Sequence, residues 1–230
     1  FNTNLFVTVV IHLKINDISQ NIVVIALKEQ WYTIPQPIFD LADRNPNEWL
    51  YQRGASLSRV NLGLRLFQRN CRGRNETLRL TAQGGFTDLY DVSYDIPYLN
   101  KKQRLGASVY SSYYNNKTIS YATEDHKLQF VSSENYLRYY FRTGVSFRYR
   151  RAFFATHSLD ISYHHHQIGD TVVMLNPDYF LNGISLQQFI NMKYSFAFDK
   201  RDVRQYALKG FLFKVDADRN GFFAFENVDQ

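Results

Sequence analysis

The chain has little of what marks most familiar protein classes. Of its 230 residues only one is cysteine, Cys71, so no internal disulfide and no cysteine-based metal cluster can be built from it. Cys71 stands among Asn70, Arg72, Gly73 and Arg74, a polar turn in which a thiol is incidental. No stretch approaches the roughly 18 consecutive apolar residues of a membrane helix, which excludes a helical membrane protein. A barrel is not excluded, because its alternating strands look only mildly hydrophobic. Mean hydropathy is −0.38 although 45% of the residues are hydrophobic. The net charge of +6 comes without a basic block, so the electrostatic footprint of a nucleic-acid binder is missing. No leader opens the chain. It begins inside a β-rich run, 1–13, and reads as a fragment of a longer precursor.

What the chain does have is alternation and aromatics. Phe and Tyr number 19 and 17, against 2 Trp, a supply suited to aromatic girdles at two membrane interfaces. The clearest alternating segment is 137–150. Leu137, Tyr139, Phe141, Val145, Phe147 and Tyr149 take one parity, and Arg138, Arg142, Arg148 and Arg150 the other. A period of two puts these sets on opposite faces of one extended strand. A tilted strand of roughly 9–11 residues spans a bilayer, while a long half-buried strand in a sandwich or lipocalin-like barrel fits the same pattern.

Similar strands follow one another along most of the chain. Runs 5–13 and 22–28 read as a hairpin around 16–21. Two prolines, Pro35 and Pro37, make 31–37 a stiff connector that resists helix and central strand. From 52 onward the strands lengthen. Within 55–67, Val60, Leu62, Leu64 and Leu66 oppose Arg59, Asn61, Gly63 and Arg65; within 77–86, Leu78 and Leu80 oppose Arg79 and Thr81. Residues 89–97, 103–114, 157–166, 187–198 and 211–215 continue the series, with 115–135 irregular and 167–185 a longer excursion. About eight strands in meander order close into a barrel or form part of a larger one.

Three groups invite chemistry. His164, His165 and His166 suggest a metal, but a strand places only His164 and His166 on one face, and a polar strand end accounts for them. His157, Ser158 and Asp160 are strand neighbours and cannot reach triad geometry by adjacency. Asp216, Asp218, Asn220 and Gly221 match the opening of a calcium loop, yet Asn227 stands where the bidentate Glu is required. A hairpin turn suits the same residues. Asn75-Glu76-Thr77 fits a glycosylation sequon, which would mean little were the protein bacterial. Asp199, Arg201 and Asp202 are charges that either pin a loop into a lumen or lie on a solvated turn.

The order of motifs resembles the BamA/TamA outer-membrane assembly superfamily, the bacterial surface-antigen barrels that follow POTRA domains. Residues 28–35, KEQWYTIP, are similar to the family's exit from its last POTRA domain. Residues 70–76, NCRGRNE, are similar to the first barrel turn, and Tyr94-Asp95-Ile96-Pro97 to the close of the third strand. Residues 194–202, YSFAFDKRD, continue to Gly210 as in a family loop element, with Ala207 or Leu208 where proline is usual. The family's Arg-Gly-aromatic loop and closing C-terminal strand have no counterpart.

The resemblance implies a mainly β fold: an antiparallel meander forming about half of a sixteen-stranded transmembrane barrel, preceded by the end of an α/β POTRA module. Residues 1–30 would end that module, 31–50 connect, and 51–230 begin the barrel. It implies a Gram-negative outer-membrane location with residues 1–30 in the periplasm, and a non-enzymatic role, without cofactor, in assembling barrel proteins. The partners would be outer-membrane lipid, unfolded outer-membrane clients, and periplasmic chaperones or accessory lipoproteins, with no nucleic acid. Val60, Leu62, Leu64 and Leu66 would lie on the lateral-gate strand, Arg59, Arg65, Arg79, Arg138, Arg142 and Arg148 would face the lumen, and Asp199, Arg201, Asp202 and Gly210 would form the loop motif. The alternatives are a porin-like or secretion channel with an arginine-lined lumen, and a soluble β-rich binding protein.

Overall fold

In the computed structural model, which describes residues 5–15, 21–42, 45–52, 54–203 and 205–222, the long alternating segments satisfy one another's backbones. Strands β1 (Phe6–Ile15) and β2 (Asn21–Glu29) form a separate antiparallel pair; the turn expected between them lies outside the described residues. Gln30–Tyr32 then lead into β3 (Thr33–Leu41), β4 (Val60–Cys71), β5 (Glu76–Gly85), β6 (Thr87–Ile96) and β7 (Leu105–Asn116). A hairpin of β8 (Thr118–Glu124) and β9 (Lys127–Ser132) intervenes before β10 (Arg138–Arg150) and β11 (Ala155–Ile168). A short helix α1 (Asp170–Leu175) precedes β12 (Leu186–Asp199) and β13 (Leu212–Asn220). Nine of these strands make one antiparallel sheet in the order β13-β12-β11-β10-β7-β6-β5-β4-β3, open at both edges, with β8–β9 set apart.

Register carries the alternation from strand to strand. Val145 pairs with Val109 on one side and Ile161 on the other, and Ile161 pairs with Met192. Leu80 likewise lies between Leu66 and Val92. One face of the sheet is therefore apolar across all nine strands and the other polar, since side chains of one parity share a face. The apolar face is uncovered: Leu62 is 58% exposed and Val109 50%. So wide an apolar surface is not left to water by a soluble monomer. Among the described residues no helix is long and apolar enough to cross a membrane.

The two ends of the sheet differ. At the end where β3 begins, the connections are 72–75, 97–104, 151–154 and 200–211; at the far end they include 42–59, 117–137 and 169–185. The only core cluster found among the described residues lies at that far end. Ile119, Leu137, Ile168 and Val172 pack together there, flanked by Tyr121, Val131, Val173, Tyr179 and Phe180. Burying side chains of this kind contributes about 1.5–3 kcal/mol each, enough to dock the β8–β9 hairpin onto the α1 loop. The Asn176 Nδ2 donates to Tyr121 O (2.7 Å) across the same contact.

Several expectations are corrected. The connector proposed for 31–50 contains β3, paired residue for residue with β4 from Thr33↔Gln68 to Leu41↔Val60. The prolines bar a central position but not this one, because Pro35 and Pro37 turn away from β4 and their missing N–H groups cost the ladder with β4 nothing. Residues Val60, Leu62, Leu64 and Leu66 thus belong to an interior strand, not to the sheet's edge, and the sheet begins before residue 51. The irregular 115–135 holds a hairpin. Asp216 and Asp218 lie on β13, where Ser195 Oγ donates to Asp216 and Asn191 Nδ2 to Asp218; they form neither a turn nor a calcium loop.

These faces make a direct prediction. Val145→Arg, at mid-strand on the apolar face, is expected to destabilise the protein in a bilayer by about 2–4 kcal/mol. Ser146→Arg, one residue on, should be close to neutral. Urea unfolding in liposomes measures both, and equal effects would contradict the assignment of faces.

Candidate functional site

The polar face is where the expected arginines gather, but with partners. Arg79 Nε lies 3.6 Å from Asp91, Arg148 Nη2 3.5 Å from Asp95, and Arg142 Nη2 3.5 Å from Asp160. Tyr110 ties the last pair together: its hydroxyl sits 2.8 and 2.9 Å from the two Asp160 oxygens and accepts from Arg142 Nη2 at 2.8 Å. Ser112 Oγ donates to Asp91 at 2.9 Å. Partly exposed pairs of this kind are worth about 0–1 kcal/mol, so they balance charge more than they hold the sheet. All of these residues but Arg148 line a concavity of about 510 Å³ that also includes Phe67, Ser93 and Ser108.

The other arginines divide. Arg65 shares the polar parity of β4, and Arg138 lies over the Tyr114 ring at 5.3 Å. Arg59 precedes β4 at the far end, over the Phe86 ring at 5.2 Å. The expected row of cations is thus a mixed face of both signs. Asp91 and Asp95 share the polar parity of 87–96 and Asp160 that of 155–168; their partners required the register.

The histidines take no metal-ligand arrangement. His164 uses both ring nitrogens, Nδ1 with Tyr140 Oη (3.0 Å) and Nε2 with Ser162 Oγ (2.9 Å), and stacks on Phe189 at 4.7 Å. His166 meets the Tyr140 ring edge-on at 4.2 Å. Both sit within β11, not at a polar strand end, and no group of metal-binding residues occurs among the described residues. His157 projects on the apolar face, bonded to Tyr194 Oη (2.8 Å), opposite to Ser158 and Asp160.

Two connections at the end where β3 begins are tightly built. In 72–75, Arg72 donates from Nε and Nη2 to the two oxygens of Glu76, both at 2.8 Å, and Tyr94 Oη adds a bond of 2.6 Å. Glu76 is fully buried beneath them, a role that sequence alone did not disclose. In 200–211, Arg201 reaches back to Asp199 (2.9 and 3.1 Å), so this pair staples the loop to itself. Asp202 accepts from the Val203 and Leu208 N–H groups at 2.8 and 3.1 Å, while its own N–H donates to Lys209 O. Gly210 closes the loop at φ +92°, where an added Cβ would lie 2.1 Å from Lys200 O.

The Val203 N–H, with help from the backbone at Lys209 and Leu208, holds the Asp202 carboxyl below its ordinary 3.8. A depressed carboxyl contributes order that is complete above its free value and lost as pH falls through the folded one. Protection of the Val203 and Leu208 amides is expected to be constant down to about pH 4 and to fall below it. Asp202→Asn should remove that dependence. Hydrogen exchange across this range decides, and an unaltered profile in the variant would contradict the capping role.

Comparison with known proteins places the sheet. A model of the Omp85 superfamily domain matches residues 70–229. No curated protein matches. Among solved structures, BamA from Haemophilus ducreyi lacking POTRA domains 1–3 is similar, with TM-score 0.50 and 13% identity over 95% of this chain and 40% of that one. At that identity the likeness is one of fold, and the chain spans about 40% of the length of the structure it matches. The open antiparallel sheet is accordingly part of a transmembrane β-barrel, as the sequence motifs implied. With a family model covering well over half of it, the chain belongs to the Omp85 superfamily of outer-membrane β-barrel proteins.

Proposed function

We propose that the chain is the first part of the barrel of an outer-membrane protein assembly and insertion factor of BamA/TamA type, acting at a lateral seam without an enzymatic step. The observation that carries this is the position of β3. It follows directly on the β1–β2 module and is an edge of the sheet, where unpaired N–H and C=O groups offer a template for another strand. In this reading β3, and not the strand of Val60, Leu62, Leu64 and Leu66, is the seam strand. The β1–β2 pair is the end of a POTRA-like module in the periplasm, and the longer far-end loops face outward, as in barrels with short periplasmic turns. Unfolded outer-membrane proteins are the clients, handed over by periplasmic chaperones or accessory lipoproteins.

The channel reading draws less support. Three of the six arginines expected to line a lumen face aspartates, which halves the positive charge that anion selectivity would draw on. The uncovered apolar face argues against a soluble binding protein.

In the full barrel, a disulfide between a cysteine at Phe39 and one on the strand that closes onto β3 is expected to abolish client insertion, with recovery on reduction. Insertion that continues with the seam locked would contradict the proposal.

A further inference from the structure

The hydrogen-bond phase of β3 is fixed at both ends. The Arg69 N–H donates to Tyr32 O (2.8 Å), and the Ala42 N–H donates to Arg59 O (2.9 Å). Between them the register with β4 runs without a shift. In an antiparallel ladder alternate residues turn their backbone groups to the same neighbour. Ile34, Gln36, Ile38 and Asp40 therefore bond to β4. Thr33, Pro35, Pro37, Phe39 and Leu41 turn theirs to the free edge.

Two of those five outward positions have no N–H. The carbonyls of Pro35 and Pro37 still accept, but the carbonyls facing them on an antiparallel neighbour find no donor. In lipid no water replaces that donor, so each such carbonyl is left short of a bond. The neighbour in question is the strand of the same barrel that closes onto β3. An open edge cannot persist in the hydrocarbon, and the chain spans only 40% of the barrel protein it resembles in fold.

We infer that Pro35 and Pro37 make this seam under-bonded at its middle, so that β3 holds its closing strand through two separate patches, Thr33 on one side and Phe39 with Leu41 on the other. The Thr33 patch is a single residue pair at the end where the chain leads in. The seam parts there first, at the end nearest the β1–β2 module, while Phe39 and Leu41 hold the far end as a hinge. The same gap makes the closing strand easier to displace than one paired along its whole length. A displacing strand gains no more bonds at the prolines than the one it replaces, so exchange rather than permanent capture is favoured.

The inference rests on the seam reading above, and its test separates the two. Pro35→Thr/Pro37→Thr restores both donors with a residue suited to strands. Hydrogen exchange is followed in the full barrel in liposomes at Thr33, Phe39, Leu41 and the two new amides. With two added bonds, exchange at Thr33 is expected to slow by roughly tenfold or more, and the new amides should be protected. Pro35→Thr alone should give a smaller slowing and keeps the test readable if the double variant folds poorly. Unchanged exchange at Thr33, or new amides exchanging as freely as in an unpaired strand, would overturn the inference. Slower exchange with a fall in client insertion supports both readings; slower exchange with undiminished insertion supports the inference and removes the seam from the mechanism.

Discussion

Backbone pairing in a single phase is the constraint on which the structure depends. From β3 to β13 the main sheet keeps its register, with one shift between Gln68 and Cys71 near a strand end. A slip by one residue in any strand would carry its arginines or aspartates onto the apolar face. Because the phase holds, Leu66, Leu80, Val92, Val109, Val145, Ile161 and Met192 form one surface, and Arg79, Asp91, Asp95, Arg142 and Asp160 the other. The stability of this sheet comes from its environment more than from a packed interior. Among the described residues the largest fully buried side chains are Glu76 and Ser162 within strands and Ile168 with Val172 at the capped end.

In the proposed reading, the same constraint concentrates function at the edges and ends. Interior strands are committed to two neighbours, so a strand that exchanges partners must be an edge strand. Sequence position makes β3 that edge, and its prolines leave it incompletely bonded outward while fully bonded to β4. At the end where β3 begins, Arg72 bonds to Glu76 across the 72–75 turn, and Arg201 bonds to Asp199 at the start of 200–211. At the other, hydrophobic packing docks a hairpin and a helical loop over the strand ends. In the proposed reading the barrel portion combines a fixed wall with one weakened margin.

Much of this was legible in the sequence because period-two alternation is a local signal. Segment 137–150 showed both its strand and its two faces, and the motif order pointed to the family. What was not legible depends on contacts distant in sequence. Pro35 and Pro37 read as a connector because proline is barred from a central strand; only the register with β4 shows that their missing donors point outward. The arginines read as an unopposed row because Asp91, Asp95 and Asp160 become their partners only through strand pairing. Asp216 and Asp218 resembled a calcium loop because the motif is short, whereas the ladder with β12 makes them strand residues. Ile119, Ile168 and Val172 come from regions without clear period and Leu137 from the start of the alternating segment 137–150, so their common cluster left no local trace.

The account's central claim is that one unbroken phase divides a lipid-facing from a water-facing surface. Its most direct test is an accessibility scan along β10 in the full barrel in bilayers, with Cys71 replaced by serine and single cysteines introduced from Phe141 to Arg148. Fluorophores at Phe141, Thr143, Val145 and Phe147 are expected to be quenched by lipid-borne quenchers and spared by aqueous ones, with the reverse at Arg142, Gly144, Ser146 and Arg148. Accessibility that is uniform along the strand, or that changes with a period other than two, would contradict the claim.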